Sequence, residues 1–141
     1  MAANISPIFS AKGSIQWNPA ILTAANTAKD GTGTVATVAT GNAVGNAAGN
    51  LIQKLIARPL GTNVATVLRV FINNGSTNAT ALNNSLIAEM SLPATTLSEI
   101  NAQYDYVLPL DFILPAGYKI NCTLGTAVAA GFALTVMGGE Y

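Results

Sequence analysis

Six carboxylates, one cysteine and no histidine make up the carboxylate, imidazole and thiol chemistry of this 141-residue chain. Without imidazole there is no Ser-His-Asp triad and no His-ligated zinc. One cysteine rules out a thiolate zinc site within one chain, and a cysteine nucleophile would lack its usual base. The carboxylates are Asp30, Glu89, Glu99, Asp105, Asp111 and Glu140. Paired acids hydrolyse glycosides only at separations of about 5–9.5 Å. Asp105 and Asp111 are six residues apart on one expected strand, which places them about 20 Å apart. Asp30-Gly31-Thr32-Gly33 lacks the alternating acids and closing glutamate of a calcium loop. Gly31–Ala36 formally fits a dinucleotide fingerprint, but it opens a β-branched strand where that motif must open a helix. The expectation is a protein without catalytic, cofactor or metal residues, and not an enzyme.

The elements that would position these groups read as strands. Eight segments carry the signal: Ser14–Trp17, Thr34–Thr40, Leu51–Arg58, Ala65–Asn73, Leu86–Leu92, Tyr104–Leu114, Lys119–Leu124 and Gly131–Met137. Ala65–Asn73 alternates, with Leu68, Val70 and Ile72 on one face and Arg69 and Asn73 on the other. Leu86, Ala88, Met90 and Leu92 share a face, as do Tyr104, Tyr106, Leu108, Leu110, Phe112 and Leu114. Arg69, set among apolar residues, is expected to pair with an acid such as Glu89 or Asp111. Leu51–Arg58 is too short between Gly49-Asn50 and Pro59 to be a stable helix. Asn73-Asn74-Gly75-Ser76 suits a turn with positive φ. Pro115-Ala116-Gly117 reads as a hairpin connection between its two strands. Ala94–Gln103 could hold a single helical turn, and Gly41–Gly49 reads as a flexible loop. Cys122 alternates with Ile120 and Leu124, as a buried core thiol would. The expected fold is all-β: an antiparallel β-sandwich of about eight strands over residues 14–141, preceded by an extended N-terminal arm over residues 1–13.

Composition narrows the partners. Lys plus Arg number 6, Asp plus Glu number 6, and charged residues are only 9% of the chain. Little repulsion then keeps copies apart, which favours life in an assembly. The cations Lys12, Lys29, Lys54, Arg58, Arg69 and Lys119 are scattered singly, so nucleic acid is not an expected partner. No run of 18 apolar residues suggests a membrane span, and the first residues do not read as a secretory signal, so synthesis in a cytoplasm is expected. Candidate protein-contact residues are Ile8 and Phe9 in the arm, Trp17 and Tyr141. Ile8 and Phe9 either tuck onto this chain's own core or dock on a neighbour. Trp17 is either a packing residue of the core or sheet edge, or an interface anchor, since tryptophan is enriched at binding hot spots.

RPLGTNVATVLRVFINNGST (Arg58–Thr77) and LPAGYKINCTLGTAVAAGFALTVMGGEY (Leu114–Tyr141) resemble the capsid decoration, or cement, proteins of tailed bacteriophages. The resemblance implies a jelly-roll-like sandwich that sits on the capsid exterior, bridges major capsid protein subunits and uses no cofactor. It also implies a homo-oligomer, a trimer near a local three-fold ahead of a dimer. The alternative is a tail or head-fibre knob that binds a receptor or a carbohydrate.

Overall fold

The computed structural model describes residues 10, 12–44 and 48–141. Ile8 and Phe9 therefore lie outside the described residues, as does most of the expected arm. Eight strands are present among the described residues, one for each expected segment: β1 (Lys12–Trp17), β2 (Ala36–Thr40), β3 (Asn50–Pro59), β4 (Thr66–Asn73), β5 (Asn84–Leu92), β6 (Tyr106–Leu114), β7 (Lys119–Leu124) and β8 (Phe132–Glu140). They form two antiparallel four-stranded sheets, ordered β1-β8-β3-β6 and β2-β7-β4-β5. Every connection but β4–β5 passes from one sheet to the other, which is the winding of a jelly roll.

This winding corrects the hairpin expected at Pro115-Ala116-Gly117. The turn is tight, with Tyr118 N–H donating to Pro115 O at 3.1 Å and Gly117 at φ 79. Its two strands nevertheless lie in opposite sheets, so it is a corner. The chain's one hairpin among the described residues is β4–β5, closed by Asn73 opposite Asn84. Gly75, at φ 93, takes the left-handed conformation that its Asn-Gly setting favours. The single helical turn falls at Ala81–Asn83 inside that hairpin loop, and not at Ala94–Gln103, whose backbone is tied instead to the neighbouring loop at Asn63.

The two sheets close on an apolar layer. Leu55, Leu68, Val70, Leu114, Ile120, Leu124, Phe132 and Leu134 are fully buried. Cys122 sits among them as expected. The core face of β6 is Tyr106, Leu108, Leu110, Phe112 and Leu114. Tyr104 departs from that face: β6 begins at Tyr106, and Tyr104 is 83% exposed. Pro109 is tolerated because β6 is an edge strand, where a missing N–H breaks no second ladder. A bulge follows opposite Ile52–Lys54, and Asp111 absorbs it at φ 49, a conformation aspartate tolerates better than most residues.

Asparagines hold the ends of the sandwich. Asn63, 3% exposed, donates to Gly131 O at 3.2 Å and accepts from the N–H groups of Ala130 and Gly131 at 2.9 and 2.8 Å. Its backbone exchanges two hydrogen bonds with Thr95. One side chain and its backbone thereby join three inter-sheet connections. At the opposite end, buried Asn50 accepts from Asn42 N–H and donates to Ser14 Oγ.

Candidate functional site

Strand β1 reads KGSIQW, and alternation gives it one apolar parity, Ile15 and Trp17, and one polar parity, Ser14 and Gln16. Burial of apolar surface alone would turn Ile15 and Trp17 inward. The fold does the reverse. Ser14 is buried and receives a hydrogen bond of 2.9 Å from Asn50 Nδ2. Gln16 reaches across to β2, donating to Thr40 O at 3.1 Å and accepting from Thr40 N–H at 2.9 Å. These bonds pin the register of β1 and close the edge between the sheets, and they leave Ile15 and Trp17 on the outside, 59% and 66% exposed. Trp17 is therefore not a core residue.

The pairing registers extend this parity across the whole sheet. Trp17 faces Thr135, Thr135 faces Ile56, and Ile56 faces Val107, a row that crosses all four strands. A second row runs Ile15, Met137, Lys54, Pro109, and a third Gly13, Gly139, Leu51, Ile113. Paired residues share a face of the sheet. Val107 and Ile113 are 50% and 52% exposed. The outer face of β1-β8-β3-β6 thus carries apolar side chains on all four strands, with a depression of about 260 Å³ at Ile56, Arg58, Ala133, Thr135 and Met137.

Charge lies mostly at its margins. Lys12 pairs with Glu140 at 2.9 Å at one end. At the other, Arg58 grips Asp105 through two parallel bonds of 2.7 and 2.6 Å. That grip holds the Asp105 carboxyl below its ordinary range. Lys54 lies within the rows, and exposed Asp111 lies between Pro109 and Ile113 on β6. Such a face can exclude water against a complementary surface, each large side chain contributing about 1.5–3 kcal/mol when fully covered.

The remaining chemical groups are dispersed. Asp30 is held below the ordinary carboxylate range by hydrogen bonds from the Thr32 side chain and backbone. Glu89 pairs with Arg69 at 2.8 Å, the first of the two partners expected for that arginine. Burial pushes the Cys122 thiol far up, which keeps it protonated and unreactive. Among the described residues no cluster of three or more His, Cys, Asp or Glu side chains comes together.

Of the expected contact residues, Trp17 lies on the apolar face. Tyr141 is half-buried beyond β8, its N–H donating to Gly49 O at 3.2 Å. Trp17 pairs with Thr135, six residues before Tyr141, so the two stand about 20 Å apart along the sheet. Ile15, Ile56, Val107, Ile113 and Met137 were not singled out by the sequence reading. Part of their signal was present in β6, where Val107, Pro109 and Ile113 share the exposed parity with Asp111.

Comparison with protein-family models, curated proteins and solved structures finds no significant match.

Proposed function

We propose that this chain is a structural virion protein, a capsid decoration protein whose apolar sheet face seats on the major capsid protein and bridges adjacent subunits. The observation that carries this reading is the inverted strand β1. Hydrogen bonds hold its polar side chains inward and present Ile15 and Trp17 to the outside. An outward tryptophan amid aliphatic rows is the composition of a docking centre, and a rim of polar or paired groups is its usual surround. The sparse charge of the chain fits close packing against neighbours. The resemblance of Arg58–Thr77 and Leu114–Tyr141 to cement proteins points the same way.

In this reading the protein is made in the host cytoplasm, assembles as a homo-oligomer with a trimer favoured, and sits on the capsid exterior near a local three-fold. Many copies per shell let each contact be modest while the array holds firmly. No cofactor, nucleic acid or membrane takes part. A mass-spectrometric count in purified particles tests it. About one copy per coat subunit is the expected result, and a handful of copies per particle would assign the chain to a tail or fibre instead.

A further inference from the structure

The connection between β5 and β6 forms the wall of a second feature, separate from the docking face. Its root is fixed. Thr95 exchanges backbone bonds of 3.1 and 2.9 Å with Asn63, and Thr95 Oγ1 and Gln103 Nε2 both donate to Gly61 O, at 2.7 and 2.9 Å. Ser98 Oγ accepts from the N–H groups of Ile100 and Asn101. Above this root lies a hollow of about 520 Å³ lined by Leu97, Asn101, Gln103, Tyr104 and Tyr106 among others. A second hollow, of about 420 Å³, shares Ser98, Asn101, Ala102 and Gln103 with it and adds Arg58 and Asp105. The larger hollow is of a size that suits a small ligand.

The chemistry of the lining selects a ligand class. Tyr104 offers an aromatic surface that is 83% exposed. Asn101 stands beside it with a side-chain amide that has no hydrogen bond among the described residues. Every other asparagine among the described residues holds a protein partner through its side chain. Gln103 engages its Nε2 and leaves Oε1 without a donor. The lining of the larger hollow holds no charged side chain, so it carries no net charge to attract an anion. A pyranose ring has an apolar C–H face that stacks on an aromatic ring, and a rim of hydroxyls that both donate and accept. Amide groups free of protein partners match such a rim.

We propose that the hollow along the β5–β6 connection binds a neutral oligosaccharide, with Tyr104 as its stacking platform and Asn101 and Gln103 as hydroxyl partners. The site stands whether or not the chain decorates a capsid. A glycan array probed with the full-length protein, followed by titration of the ¹⁵N-labelled protein with the best neutral hit and with cellotetraose, maltotetraose and chitotetraose, tests it. The expected result is saturable binding of at least one neutral glycan, with amide shifts concentrated in residues 95–106. Tyr104→Ala should weaken that binding by about tenfold and Tyr104→Phe should preserve it. Trp17→Ala, on the docking face, should leave it unchanged. Hits confined to anionic glycans, binding that survives Tyr104→Ala, shifts outside the hollow, or no binding by any neutral glycan would each overturn the proposal.

Discussion

The two outer faces of this sandwich are treated in opposite ways. The outer face of β2-β7-β4-β5 is covered by the chain itself. The connection from β1 to β2 crosses it: Asn26 N–H donates to Leu124 O on β7, Arg69 Nη1 donates to Asn26 O, and Asn78 and Asn84 on the far side donate to the carbonyls of Asp30, Gly31 and Gly33. Beneath that cover Phe71, Asn121 and Thr123 are buried although they point away from the core. The outer face of β1-β8-β3-β6 has no such cover among the described residues. It carries Ile15, Trp17, Val107 and Ile113 in the open. One sheet uses the chain's own loop to keep its outer side dry, and the other leaves that role to another molecule. The hydrophobic effect is the same on both sides, and the difference lies in which molecule supplies the covering surface.

The sharpest way to break this comparison is to remove the side chain under the cover. Phe71→Ala should cost about 3–5 kcal/mol of unfolding free energy in urea, as a truncated core aromatic does. A cost near zero would mean that the loop does not bury that face. Loosening the cover itself should cost less. Asn26 Nδ2 holds the carbonyls of both Thr32 and Thr34 at 2.8 Å. Asn26→Ala should lose about 1–2 kcal/mol, and limited proteolysis should then cut first within residues 18–35. On the bare face the pattern reverses. Trp17→Ala should leave the stability of the free protein within about 0.5 kcal/mol, since it empties no cavity, while weakening attachment to particles by at least about tenfold.

The smallest effect is expected from the ion pair at the margin of the bare face. Asp105 titrates below its ordinary value of 3.8 when folded because Arg58 holds it. A depressed carboxyl contributes stability above its unfolded value and loses it as pH falls through the folded one. Chemical denaturation should therefore show a slight loss below about pH 4, and Asp105→Asn should remove that component. A loss of the same size in the variant would assign it to other carboxylates.

Much of the fold was legible because burial on one face writes itself into alternation. Leu68, Val70, Met90 and Leu108 mark their inner faces directly. Strand partnership was not legible. Pro115-Ala116-Gly117 has the length of a hairpin turn, and only the meeting of two inner faces decides that its strands belong to different sheets. Tyr104 was misplaced because parity was extended past Tyr106, where β6 begins. The docking face was half legible. Trp17 could be singled out by residue type, but its direction depends on Ser14 and Gln16 finding partners at Asn50 and Thr40, which are 36 and 24 residues away in sequence. The asparagine clamps, Asn63 above all, looked like ordinary loop residues because their partners belong to other loops.

Hydroxyl-radical footprinting, read by mass spectrometry on the free protein and on purified particles that carry it, tests the docking face most directly. Oxidation of Trp17 and Met137 should fall several-fold in the particle. Equal oxidation of both residues in the two states would show that the apolar face stays wet in the assembly, and would contradict its role as the seat on the coat.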